Sequence, residues 1–355
     1  MQFFDLLASV RPQIEEELLR VIEQTKRENG SRFEFDDWLL NEAARRVTRG
    51  KLMRGGLLIG AYEALGGNNR RAGVQAAAAL ELYGTGLLMQ DDVTDCSLSR
   101  RGLPTIHTIA REKAQLLDMH DPIQVGDNIA VYLADALYFL GQELLAQLEI
   151  DPVISLQLAA ISARELAQLG LAQIEDLRCA NLSSQTSELT QGTILQLYAG
   201  KTGRYSVSWP LQLGAVMAGS SADQLAALAK LGTEIGVLFQ LRDDELGLFG
   251  NPDELGKSVD DDLRDGKKTL YWLALREQVD PADPLWQTFG SSTADTASIE
   301  KLRTHIRTAG IEQSVHDLIT QKQTGLSTEI EASELTPPIK SLLTELLTFV
   351  VERKK

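Results

Sequence analysis

"AAAALELYGTGLLMQDDVTD", residues 76–95, decides how this chain is read. Its first fifteen residues are small or apolar nearly all round, so a helix formed here must be covered on several sides, not along one amphipathic stripe. Such a helix is central to its fold. It ends in three aspartates: Asp91 and Asp95 lie four apart and share a face, with Asp92 rotated about 100° from them. Carboxylates at a helix C-terminus have the wrong sign for the helix dipole and repel one another, so the placement asks for a nearby positive charge. Magnesium answers that need, because it takes one or two carboxylates, several waters and the oxygens of a phosphate.

Working outward, apolar residues recur at helical spacing from Phe3 to Glu28, and Asn29-Gly30-Ser31 breaks the run. Further helices are predicted over Phe35 to Val47, Leu52 to Leu65, Ala72 to Asp95, Ile129 to Leu148, Val153 to Arg178, Ser187 to Tyr198, Gly203 to Met217, Ala222 to Phe249 and Thr269 to Arg276. No stretch sustains period-two alternation between turn signals, so essentially no sheet is expected. The fold class is all-α. Residues 279–296, VDPADPLWQTFGSSTADT, read as loop, and two or three shorter helices follow to about residue 350. Those are too few for an independent core, so one domain over 1–355 with a C-terminal helical extension from about 280 is expected.

The chain of 355 residues has 43% hydrophobic residues, enough for a sizeable core, and a net charge of -15. That balance excludes nonspecific nucleic-acid binding, which needs Lys and Arg against phosphates. A polyanionic ligand must then be held by a local basic cluster. Cys96 and Cys179 give neither a disulfide framework nor a zinc spacing, and a reducing cytoplasm is the simplest compartment. The N-terminus lacks the basic and apolar regions of a signal peptide, and no uninterrupted apolar run approaches a membrane span, so stable membrane insertion is not expected.

A second acidic set lies in VLFQLRDDELGLFGNPDELGKSVDDDLRDGKKTL, residues 237–270. Asp243 and Asp244 again end an apolar helix, and Lys257, Asp261, Asp262, Lys267 and Lys268 follow. Basic residues recur in TRGKLMRGG, where Lys51 and Arg54 start a helix, and in YAGKTGRY, where glycines flank Lys201 and Thr202. A helix start suits an anion. A kink or a packing glycine is the plainer reading of YAGKTGRY.

In series, GKLMR (50–54), DDVTD with SRRG and His107 behind it, AQIED (172–176), GKT (200–202), FQLRDD (239–244) and GKSVDDDLRDGKKTL (256–270) resemble the trans-isoprenyl diphosphate synthases, or polyprenyl synthetases. The resemblance spans roughly residues 45–275. It implies an all-α bundle around a deep apolar cavity, a homodimer, and two aspartate-rich motifs facing each other at the cavity mouth. Asp91, Asp95 and Asp243 would bind Mg2+, with Asp92, Asp244 and Asp176 close by. Arg100, Lys201, Thr202, Gln240, Lys257 and Lys267 would hold an allylic diphosphate, and Lys51, Arg54 and Arg101 the diphosphate of isopentenyl diphosphate. Asp91, Asp95, Asp243, Arg100 and Lys201 would be the catalytic set of a prenyltransferase. His107 has a structural or diphosphate-adjacent role.

Two positions depart from the family pattern. The third aspartate of the second motif is Gly247, and the His seven residues before Asp91 is Gly84, for which Gln90 or a water is a candidate replacement. Product length in the family is limited by bulky side chains on the turns before the first aspartate. Here Gly86 and Leu87 are not aromatic, while Tyr83 lies about two turns deeper, which suits a geranylgeranyl-length product. Two other readings are a terpene cyclase, which needs only one diphosphate, and a noncatalytic subunit of a heteromeric synthase. The paired arginines count against the first and the intact DDVTD against the second.

Overall fold

Helix follows helix from Phe3 to Glu352 in the computed structural model, which describes residues 3–29, 33–184, 186–251 and 259–353. The chain divides into two compact units with interleaved boundaries. One takes the chain to Ala163 together with Pro210–Ser220, and the other Arg164–Trp209 together with the chain from Ser221.

In the first unit α1 (Phe3–Asn29) buries the stripe Phe3, Leu6, Leu7, Val10, Ile14, Leu18 and Ile22. Helices α2 (Glu34–Val47), α3 (Met53–Ala64) and α4 (Arg70–Thr94) follow. Asn69 caps α4 by accepting the Ala72 amide at 3.1 Å, and Asp95 ends it. As the run 76–90 requires, α4 is enclosed: it packs against α1, α3, α5 (Ile106–Leu116) and α6 (Pro122–Ala146), with Ala76 to Leu80, Leu82 and Tyr83 fully buried. Each buried leucine contributes about 1.5–3 kcal/mol relative to exposure. The α3 entrance rests on α4 as well, because buried Glu81 accepts the Gly55 amide at 2.8 Å and so satisfies a first-turn donor.

The near absence of sheet has one exception among the described residues. Ser99–Arg100 (β1) and Leu103–Pro104 (β2) pair as an antiparallel hairpin around Arg101-Gly102. Both loop residues have positive φ, 52° and 75°, as a tight two-residue hairpin loop demands. By length and composition α6 is long and apolar enough to cross a membrane, although two aspartates interrupt its apolar run. It nevertheless packs on α4 and α5 and carries Asp127, paired with Arg111 at 2.6 Å, and Asp135, bonded to Gln90 at 3.2 Å.

The second unit is built on α10 (Ala222–Phe249), which starts with a full capping box of Ser221 and Gln224. Against it lies a segment where the sequence reading expects a break. After α8 (Gln191–Tyr198) the chain does not stop but runs as a π-helix, Ala199–Ser208, into α9 (Trp209–Met217). Glycines serve close approach here: a Cβ at Gly236 would lie 2.4 Å from the Gly203 Cα, and one at Gly203 would lie 2.6 Å from the Thr233 carbonyl oxygen. The π segment is also tied to α7 (Pro152–Ala180) through a two-pronged Arg204–Glu165 pair at 2.6 and 3.0 Å. The helices Thr296–Thr308, Ile311–Ala332 and Pro337–Glu352 form the C-terminal extension, of which the last two pack on α10.

Candidate active site

In the first unit the hairpin sends its two arginines apart. Arg100 turns back and pairs through Nε with Asp92, the buried middle aspartate of the α4 end. Burial pushes the Asp92 carboxyl above its ordinary range, and the Arg100 guanidinium opposes that shift. Arg101 instead donates to the Arg49 carbonyl, and its guanidinium lies against Gly50 so closely that a Cβ there would be 2.4 Å from Cζ. Gly50, at φ 103°, thus has two reasons to be glycine. The contact brings Arg101 to the loop that carries Lys51 and leads into Arg54 on α3.

A cleft opens between these elements, lined by Arg46, Arg49, Arg100 and Arg101 and by Thr85, Leu88 and Met89 of α4. Four arginines on one cleft, in a chain of net charge -15, form the local basic cluster that a polyanion requires. Arg46 and Arg49 are absent from the sequence-based list. Arg46 holds the hairpin by donating to the Pro104 carbonyl at 2.6 Å, a contact 58 residues away that no local pattern signals.

Asp91 is half-buried and Asp95 exposed at the same helix end. Gln90 beside them is committed to α6: its amide donates to Asp135 at 3.2 Å and its oxygen accepts the Tyr138 hydroxyl at 2.8 Å. These bonds tie the Gln90 side chain to α6. Tyr83 is fully buried against α6, with its ring 2.7 Å from where a Cβ at Gly141 would stand. Gly86 also faces α6, 2.9 Å from the Ala134 carbonyl and 2.7 Å from the Tyr138 ring measured from an added Cβ, and Leu87 is buried beside it. His107 is fully buried with no hydrogen-bond partner on either ring nitrogen among the described residues, and burial, then Arg111, lowers its pKa.

In the second unit the predicted residues gather on α10 and the π segment. Thr202 donates to Gln240 at 2.8 Å, Gln240 donates to Asp244 at 2.9 Å, and Tyr198 donates its hydroxyl to the other Asp244 oxygen. Burial pushes the Asp244 carboxyl up to about 7. Lys201 pairs with Asp176 at 2.7 Å, and Lys267 with Asp262. For Lys267, burial pulls the ammonium down, but the Asp262 carboxylate outweighs it and the pKa ends above its ordinary value. Asp243 pairs with Arg353 at 3.0 Å, and that guanidinium also stacks 4.1 Å from the Phe239 ring centroid. Arg353 was not singled out from sequence, where two residues from a basic C-terminus it reads as solvated charge. Lys257 lies outside the described residues.

Among the described residues no three carboxylate, His or Cys side chains close a cage of their own around a metal. The donor chemistry nonetheless fits magnesium: the motif residues offer hard carboxylate oxygens with no sulfur or imidazole, and Mg2+ needs only one or two of these when phosphate and water supply the rest.

The chain is 28% identical over 314 residues to a geranylgeranyl diphosphate synthase of Saccharolobus solfataricus, covering 86% of this chain and 87% of the relative. It is 30% identical over 275 residues to a geranylgeranyl diphosphate synthase of Mycobacterium tuberculosis, covering 77% and 72%. Other matched relatives bear the names of farnesyl and geranylfarnesyl diphosphate synthases. A geranylgeranyl pyrophosphate synthase from Corynebacterium glutamicum, solved with isoprenyl diphosphate and magnesium, superposes with a TM-score of 0.85 at 24% identity, covering 98% of this chain and 99% of that one, which establishes the shared fold. The family model described as polyprenyl synthetase matches residues 36–306, and the chain belongs to that family and is a prenyltransferase.

Proposed function

We propose that the protein condenses isopentenyl diphosphate with an allylic diphosphate, in a magnesium-dependent reaction, to give a longer all-trans prenyl diphosphate of geranylgeranyl length. The observation that carries this reading is the divergence of Arg100 and Arg101, one toward the α4 aspartates and the other toward the Lys51–Arg54 loop. Two separately addressed cationic groups suit two diphosphates, whereas a terpene cyclase handles one.

Asp91, Asp95 and Asp243 would be the residues that hold magnesium, whose chemistry would be to neutralise charge on a leaving diphosphate. The chain's own groups do the rest. Lys201, Thr202, Gln240 and Lys267 hold the allylic diphosphate as its C–O bond breaks and the electron pair leaves with oxygen, and cationic donors aimed at that oxygen lower the barrier. Arg101, Lys51 and Arg54 hold isopentenyl diphosphate so that its double bond attacks the allylic carbon. A proton then leaves to the released diphosphate and the alkene is restored. Tyr83, two turns before Asp91 on α4, is our candidate for the limit on chain length.

A homodimer is part of the proposal. Tyr132 and Phe139 are each 73% exposed and seven residues apart, hence on one face of α6. Sedimentation of a monomer at micromolar concentration would overturn that part.

The central test mixes purified protein, magnesium, isopentenyl diphosphate and allylic starters of increasing length, with products identified by mass. Elongation stopping at geranylgeranyl length is expected. Cyclic hydrocarbon from one starter would replace the reading with a cyclase, and no product from any starter would favour a noncatalytic subunit. Tyr83→Ala should shift product toward longer chains, and an unchanged distribution would remove Tyr83 from the length limit.

A further inference from the structure

We infer that the arginine-lined cleft beside the hairpin is an anion site in its own right, which takes a free diphosphate without a metal ion and restrains the reaction when filled. It goes beyond the proposed function, whose residues Lys51, Arg54, Asp91 and Asp95 do not line this cleft. The wall that α4 gives it is Thr85, Leu88, Met89 and Asp92. Thr85, Met89 and Asp92 follow one another at steps of four and three and so share a face, and Asp92 is turned about 100° from Asp91. The cleft therefore opens on a different side of α4 from the one that carries Asp91 and Asp95.

Three of its four guanidinium groups are engaged within the fold. Arg46 donates to the Glu42 carbonyl at 2.8 Å and to the Pro104 carbonyl at 2.6 Å, Arg100 pairs with Asp92, and Arg101 donates to the Arg49 carbonyl. Arg49 is exposed, and its guanidinium has no hydrogen-bond or ion-pair partner among the described residues. Asp92 is the one carboxylate of the lining, and Arg100 covers it. Four positive charges thus meet one negative charge on this cleft, in a chain whose net charge is -15. A guanidinium stays charged at any physiological pH and its planar fork matches phosphate oxygens in pairs, so it binds phosphate with no cation between them. Several such forks suit a diphosphate, the anion that the proposed reaction releases. Leu88, Met89, Leu103 and Ile106 line the same cleft and suit the apolar tail of a prenyl diphosphate, a second source of the same group. Either occupant engages Arg100 and Arg101, which the substrates also need, and so slows turnover.

The test titrates the full-length protein by calorimetry with inorganic diphosphate and with geranyl diphosphate in a chelating buffer, with thermal unfolding as a check on folding. Binding is expected without metal and should weaken as salt rises. Arg49→Gln should weaken it about 10- to 100-fold, the scale of a lost charge-assisted contact, and Arg49→Lys should recover part of that loss. Tighter binding of inorganic diphosphate makes the released anion the occupant, and tighter binding of geranyl diphosphate makes it a prenyl chain. In initial rates at fixed free magnesium, half-inhibition by added inorganic diphosphate should need about 10-fold more in Arg49→Gln than in wild type, and an unmoved value overturns the restraint. No binding in chelator overturns the inference. So does binding that Lys51→Gln abolishes and Arg49→Gln leaves intact, since the anion would then sit in the substrate site. A protein that elongates prenyl chains yet binds no diphosphate without metal loses this inference alone, whereas one that binds it and forms no product from any starter loses the proposed function alone.

Discussion

The two acidic sets end similar helices and are furnished differently. On α4, Asp92 is buried and paired with Arg100, while Asp91 and Asp95 lie half-buried and exposed at the helix end. On α10 and its surroundings each carboxylate has a charged or hydroxyl partner: Asp243 with Arg353, Asp244 with Tyr198 and Gln240, Asp262 with Lys267, Asp176 with Lys201. The first set keeps one carboxylate buried and places the other two nearer solvent. The second carries its own countercharges, so its members also hold the fold together.

The largest effect that tests this contrast comes from paired alanine substitutions. Asp91→Ala should lower turnover by about 10³-fold or more, the scale of a lost transition-state stabiliser, and leave thermal unfolding unchanged. Asp244→Ala should lower turnover and also destabilise by about 1–3 kcal/mol, because it strands the buried Tyr198 hydroxyl and the Gln240 amide. Equal stability losses in the two variants, read by denaturant unfolding, would break the comparison.

How far these sets could be read from sequence differs for the same reason. The α10 span Ala222–Phe249 is legible to the residue, since Ser221 and Gln224 announce its start and Gly250 follows its end. The burial of α4 follows from its lack of any polar face. Helix α5 was not foreseen: eleven residues carry a modest amphipathic pattern, and its partner α6 lies beyond a loop. The hairpin was invisible because two-residue strands contain no alternation to detect. Gly200 and Gly203 interrupt the helical pattern, and for Gly203 the packing alternative holds, through close approach to Gly236, a contact 33 residues distant in sequence. Arg46, Glu81 and Arg353 share that character. Each is a common charged residue whose role depends on a partner far along the chain, and periodicity carries no information about that.

A smaller effect is expected from the arginines, where the contrast can be sharpened within one unit. Arg101→Ala should raise the KM for isopentenyl diphosphate about 10- to 100-fold, as loss of a charge-assisted pair does, with little change for the allylic substrate. Arg100→Ala should act mainly on the allylic side and also leave buried Asp92 unpaired. Initial rates against each substrate in turn decide it. If both variants shift the same KM, the hairpin does not separate two diphosphates.

The smallest effect lies in the pH dependence of stability without magnesium, and here a buried carboxyl and a buried imidazole pull in opposite directions. Asp244, pushed up to about 7 by burial, keeps its proton in the folded chain where the unfolded chain has released it. The folded state then binds more protons between about pH 4 and pH 7, so stability falls as pH rises through that window, with a limiting slope of about 1.4 kcal/mol per pH unit. His107 is depressed by burial and by Arg111, so the unfolded chain takes up a proton that the folded one refuses. Its contribution is present above about pH 6.5 and is lost as pH falls below that. Just below about pH 6.5 the two slopes oppose, so the two variants should depart from the wild-type profile in opposite directions. Denaturant midpoints in a chelating buffer should fall less steeply with pH for Asp244→Asn than for His107→Leu, with buried Asp92 acting in the same sense as Asp244 in both variants. Parallel profiles for the two variants would show that the buried carboxyl and the buried imidazole do not titrate as their surroundings dictate.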